Sequence, residues 1–161
     1  MDSFDSPPLV GRVQYRKATG ADVAAIVACR ASDVTAGPAD PRIAAYLAGE
    51  HHPQQALAPR IAFVAVAGAA VVGYIAGHAT TRHGCSGEVQ YLYVAPQHRR
   101  AGIAGCLLRR VAHWFEGQGI RRVCVNADIE SAGAVPFYVA HGASALNPHW
   151  YIWDDIRVVD S

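Results

Sequence analysis

The stretch Glu88 to Leu108, EVQYLYVAPQHRRAGIAGCLL, constrains this chain most, because an apolar strand runs through Pro96 into a short basic turn and straight into a long helix. Val89 to Val94 is apolar on nearly every residue, the pattern of a central strand buried on both faces, and Pro96 ends it. Gly102 to Phe115 sets Ile103, Cys106, Leu107, Val111 and Trp114 at helical intervals, and Gly117 and Gly119 stop the helix. The turn between them has its own chemistry. Small residues at Ala101, Gly102, Ala104 and Gly105 let a ligand approach the backbone. The unpaired N–H groups of the first helical turn point outward, the helix dipole favours an anion, and Arg99 and Arg100 add positive charge. A phosphate fits there; an ordinary tight turn with two solvated arginines fits the same residues. Neither G-x-x-x-x-G-K-[ST] nor G-x-G-x-x-G is present.

Around this unit the patterning predicts a strand at 13–17, then a helix at 21–30 opened by a capping-box-like Thr19 and Asp22. A second helix at 42–48, a loop over 50–60, and hairpin strands at 61–67 and 71–78 follow. After the central unit come a strand at 123–126, a helix at 132–141 and an aromatic strand at 150–158. This order predicts an α/β sandwich of mixed strand direction, with a crossover through the middle helix. Residues 1–12 read as a flexible lead-in and 13–161 as a single domain. At 52% hydrophobic and 17% charged, the 161 residues suit a compact globule rather than a disordered or fibrous chain. A net charge of +1 gives no field that would draw nucleic acid or an anionic membrane, so neither is expected as a partner. Cys29, Cys85, Cys106 and Cys124 form no C-x-x-C pair, which predicts reduced, mostly buried thiols and no metal. The acidic N-terminus and the lack of a long apolar run make a cytoplasmic location the expectation.

Arg99-x-x-Gly102-x-Ala104, preceded by LYVAP and followed by the apolar helix, closely resembles the acetyl-CoA-binding signature of the GNAT superfamily of N-acetyltransferases, [Arg or Gln]-x-x-Gly-x-[Gly or Ala]. The element order is similar to that family's over roughly residues 13–159. The resemblance implies an acyl-CoA N-acyltransferase-like fold, an α/β architecture with a mixed, mostly antiparallel central sheet whose middle strands splay, flanked by about four helices. It implies acetyl-CoA as co-substrate. Backbone groups of Leu92, Tyr93 and Val94 then hold the pantetheine arm at the splay, and Arg99 opens the loop. The N–H groups of Arg100, Ala101, Gly102, Ile103, Ala104 and Gly105 hold the pyrophosphate. Downstream, Ser131-x-x-Ala134-x-x-Phe137-Tyr138 and Gly142 match the family's Asn-x-x-Ala-x-x-Phe-Tyr and Gly-Phe in part. Ser131 stands where Asn is common, as a shorter cofactor contact or only a helix N-cap. Pro136 lies inside the predicted helix and predicts an irregular first turn, and Ala143 replaces a Phe.

An amine must lose a proton before it attacks a thioester, since alkyl ammonium ions are almost fully protonated near neutrality. The resemblance offers Glu88, six residues before Val94, as the base, with partial burial beside the splay raising its pKa. An exposed strand-end Glu that caps or pairs with an Arg is the alternative, with a different base or a water chain in its place. The N–H of Val94 would meet the oxyanion and Tyr138 would protonate the departing thiolate, whereas the bland reading makes Phe137 and Tyr138 core aromatics. His51, His52 and His78 near the acceptor side read individually as surface or structural, and Trp150, Tyr151 and Trp153 as packing. The implied activity is acetyl transfer to a primary amine of a small molecule, amino acid or peptide, by direct attack in a ternary complex. A non-catalytic acyl-CoA-binding regulator is the first alternative and a nucleotide-binding protein the second. Seven basic and six acidic residues in 1–87 nearly cancel, so no strongly acidic acceptor patch is expected, and relatives suggest a possible homodimer.

Overall fold

A computed structural model describes residues 12–127 and 133–160. In chain order it contains β1 (Gln14–Lys17), α1 (Val23–Ala31), α2 (Ile43–Leu47), β2 (Ala56–Ala67), β3 (Ala70–Thr80), β4 (Gly87–Val94), α3 (Ile103–Gly117), β5 (Val123–Asn126), α4 (Ala134–Ala140), β6 (Ser144–Ala145) and β7 (Trp150–Trp153). One seven-stranded sheet runs β1-β2-β3-β4-β5-β7-β6. All neighbours are antiparallel except β4 and β5, which α3 connects. The mixed, mostly antiparallel α/β architecture with four helices is therefore the one expected.

The two faces of the sheet carry different layers. α3 lays Leu107, Val111 and Phe115, all fully buried, onto Ile75, Val89 and Val123. Each such side chain contributes roughly 1.5–3 kcal/mol by leaving water. On the other face Ile26 of α1 and Ile43 of α2 pack on Val64 and Tyr74. Gly87 and Gly77 admit α3 to the sheet, for a Cβ would come within 2.6 Å of the Phe115 ring at Gly87 and 3.1 Å at Gly77.

β4 and β5 pair only at Gly87 with Val123, Glu88 with Cys124, and Val89 with Val125. β4 continues to Val94 without its parallel neighbour, which is the expected splay. Just there β4 bulges: Val89 faces Gly77 and Tyr91 faces Ala76, leaving Gln90 as the extra residue. The bulge resets the alternation, so Val89, Leu92 and Val94 face α3 while Tyr91 and Tyr93 face α1 and α2.

Four local expectations change. The 50–60 loop is strand from Ala56, because Ala56 and Leu57 pair with Thr80 and Ala79 across an irregularity that contains the cis Ala58–Pro59 bond. The aromatic strand stops at Trp153, and residues Ile156–Asp160 form a 3₁₀ turn that buries Ile156 and Val159. Asp155 starts that turn by accepting the Arg157 N–H at 3.0 Å on its side chain. Ser144–Ala145, not foreseen as a strand, pairs with β7. α4 begins at Ala134, so Pro136 sits in its first turn, where no intrahelical donor is required, and the following Phe137 N–H bonds the Gly133 carbonyl at 3.2 Å. Cys85 and Cys124 are buried but Cys29 and Cys106 only half-buried, and all four are free thiols.

Candidate active site

The splay gives β4 an open edge. Ala95 N–H bonds the Val72 carbonyl at 2.8 Å, and Gly73 faces Val94. Alternation along an antiparallel ladder therefore commits the backbone groups of Tyr93 to Tyr74 and turns those of Leu92 and Val94 toward the gap. Of the three residues expected at the pantetheine arm, Leu92 and Val94 thus turn backbone groups to the gap, while the backbone of Tyr93 is committed to β3 and its side chain faces α1 and α2. A crevice of about 190 Å³ fills the gap between Gln90 and Leu92 on β4 and Val125 on β5, closed by Tyr138. It adjoins a larger cleft of about 680 Å³ that runs from Leu92 and Val94 past the start of α3 to α4.

The loop at the head of that cleft is built for close approach. A 3₁₀ turn, Pro96–His98, leads to Arg100 at φ 66° and Gly102 at φ 80°, both left-handed. Gly102 caps α3, whose first bond from this end is the Cys106 N–H to the Gly102 carbonyl at 3.0 Å. The N–H groups of Ile103, Ala104 and Gly105 are left without intrahelical acceptors, an anion-accepting arrangement. Arg99, Arg100, Gly102, Ile103, Ala104 and Gly105 all line the cleft; Ala101 lies in the loop but not in the lining, and Ser131 lies outside the described residues. The described lining holds three arginines and two histidines and no carboxylate.

Arg99, besides lining the cleft, is tied to its neighbours. Its Nε donates to the Val94 carbonyl at 2.8 Å and its Nη2 to Asp33 at 3.3 Å, so the guanidinium braces the splay against the α1–α2 connection. Asp33 also accepts from the Tyr93 hydroxyl at 2.6 Å, and Asp40 from Tyr91 at 2.8 Å. Sequence spacing gave no sign of these pairs, which span 60 and 51 residues.

Tyr138 borders both the crevice and the cleft, its ring set edge-on to Trp153 at 5.8 Å. Burial pushes its phenol above the ordinary tyrosine pKa, so it is protonated at neutral pH. Glu88 departs from expectation: it is 3% exposed, within the paired part of β4, and lines neither cavity. Its Oε1 accepts from Arg82 Nε at 3.1 Å and stands 3.5 Å from His78 Nε2, longer than a good hydrogen bond. His78 is fully buried and bonds Tyr46 through Nδ1 at 2.7 Å. Three polar cleft residues escaped the sequence reading, His141 on the end of α4, Arg109 on α3 and His98 in the turn before it. The signal available for His141 was its place one residue before Gly142, which ends the helix.

The sequence profile described as "Acetyltransferase (GNAT) family" matches residues 31–143, more than half of the chain. The chain belongs to this family. Its fold is similar to that of a GNAT-family chain from Desulfovibrio desulfuricans, at a TM-score of 0.73 and 19% identity over 90% of this chain and 99% of that one. It is also similar to the PaiA N-acetyltransferase of Thermoplasma acidophilum solved with coenzyme A, at TM-score 0.66 and 12% identity over 88% and 98%. A chain of the NatC complex, solved with Gag peptide and CoA, aligns at TM-score 0.69 and 15% identity over 88% and 98%. No curated protein matches the sequence. Among the described residues of this GNAT chain no group of three or more His, Cys, Asp or Glu is placed to hold a metal, and no helix is long and apolar enough to cross a membrane.

Proposed function

We propose that the chain transfers the acetyl group of acetyl-CoA to a primary amine of a small molecule, amino acid or peptide. One observation carries the reading: a cleft with a basic, carboxylate-free described lining joins the open edge of β4 to the N-terminus of α3, with Tyr138 at the junction. The donors fit an anionic cofactor with a peptide-like arm. Leu92 and Val94 extend backbone groups to that arm, and Ile103, Ala104 and Gly105 direct N–H groups at its phosphates. Acetyl-CoA supplies an activated thioester. The Val94 N–H faces the gap and meets the negative charge that develops on the thioester oxygen. Tyr138 gives its hydroxyl proton to the leaving sulfur, and the amine loses its own proton to Glu88 through water. The coenzyme A complex of the PaiA N-acetyltransferase supports the cofactor assignment.

The Arg82 pair favours a second reading of Glu88, as a hub that holds the β3–β4 turn, and with it a role for the chain in binding rather than catalysis. Calorimetric titration with acetyl-CoA against ATP, followed by thiol release with an amine panel, separates the cases. Micromolar acetyl-CoA affinity with amine-dependent release supports the transferase. Binding without release selects the regulator, preference for ATP a nucleotide-binding protein. Glu88→Gln abolishes release without lowering Tm if Glu88 is the base, and lowers Tm while sparing release if it is the hub.

A further inference from the structure

We propose that His141 is a phosphate ligand of the cleft that acts as its imidazolium, so that the cofactor binds together with a proton. The inference rests on the acyl-CoA reading above and adds a residue to it. The tautomer follows from its partner: the Phe137 carbonyl only accepts, so the 2.9 Å contact puts the hydrogen on Nδ1 and leaves Nε2 as a bare lone pair in the neutral ring. Nε2 stands 3.3 Å from the point where a Cβ on Gly105 would lie, and Arg109 Nη1 stands 3.5 Å from the same point. Gly105 is the third residue of α3, whose N–H is among those left free. The imidazole and the guanidinium therefore stand side by side against the first turn of α3, at the residue that closes its run of free N–H groups.

A lone pair facing a phosphate oxygen is repelled, whereas a protonated Nε2 makes a charge-assisted hydrogen bond. The titratable and charged groups that line the cleft with His141 are Arg109 from α3, Arg99, Arg100 and His98 from the turn before α3, Tyr93 from β4, and Tyr138 from its own helix, and the Phe137 ring lies against the imidazole at 4.4 Å. From β7, Trp153 Nε1 donates to the His141 carbonyl at 2.9 Å and carries no charge. Cations gathered at the positive end of α3 repel one another while no anion stands among them. Two or more phosphate charges reverse that balance.

The test uses the whole chain and dephospho-CoA, which keeps the pyrophosphate but lacks the phosphomonoester that itself titrates near neutrality. Calorimetry in two buffers of different ionisation enthalpy, across the histidine range of about pH 5.5 to 8, reads the protons exchanged. The expected result is proton uptake with an affinity that weakens as pH rises, by up to about tenfold per pH unit. His141→Gln removes both the uptake and the slope. Wild-type binding that is pH-independent with no proton exchange overturns the proposal, as does uptake that persists in His141→Gln; the wild-type arm stands whether or not the variant folds. Failure of CoA and dephospho-CoA to bind at any pH overturns the acyl-CoA reading instead.

Discussion

Tyr138 shows what burial does to the acidity of one side chain. The apolar surroundings raise its phenol pKa and keep the hydroxyl protonated, the form that the proposed general acid requires. Tyr138→Phe is expected to lower kcat about a hundredfold, the range of a lost general acid, with acetyl-CoA affinity and Tm nearly unchanged; steady-state thiol release and calorimetry on one preparation check this. Gly102 makes a different demand. Its φ of 80° is left-handed and a Cβ there meets nothing within 4 Å, so Gly102→Ala costs backbone strain of about 1–2 kcal/mol without a clash, read as a lowered urea midpoint. The small-residue turn at Gly102 was legible in the sequence as a local pattern, whereas Tyr138 was singled out only through the resemblance carried by its Phe-Tyr pair. The brace that Arg99 forms on Val94 and Asp33 was not, because nothing local links residues 33 and 99.

Among the elements, α3 followed most directly from the sequence, since its 3.6-residue spacing of apolar side chains needs only one apolar face to settle on. What it settles on depends on β3 and β4, where Gly77 and Gly87 leave room for the Phe115 ring. Gly87→Ala forces a methyl group to within 2.6 Å of that ring and is expected to destabilise the fold by about 1–3 kcal/mol in urea unfolding. The bulge at Gln90 was invisible in the run of apolar residues, although it decides which side chains of β4 face the cleft. Ala56 to Arg60 misled for the opposite reason: Pro59 and exposed neighbours look like loop, yet the end of β3 supplies partners.

At the scale of the molecule, buried carboxylates tie the helical layer to the sheet and make the fold sensitive to acid. Thr35 and Tyr93 hold the Asp33 carboxyl well below the usual carboxylate range, and Arg16 does the same for Asp22. A folded-state pKa below the unfolded one means that this stability is fully present above about pH 4 and drains away as pH falls further. Urea midpoints measured from about pH 5 down to pH 2 should therefore decline, and the decline should be shallower in Asp33→Asn. The sequence by itself determined the α/β class, the strand–turn–helix unit and the phosphate-fitting loop, because periodicity, small residues and unpaired helix-end N–H groups act over a few neighbouring positions. Only the tertiary structure decided that Leu92 and Val94 face the gap, that Arg99 is a brace, that Glu88 is buried against Arg82, and that His141 meets Gly105. Each of those depends on strand register or on the meeting of segments distant in the chain, and such contacts form only when the whole sheet closes on its helices.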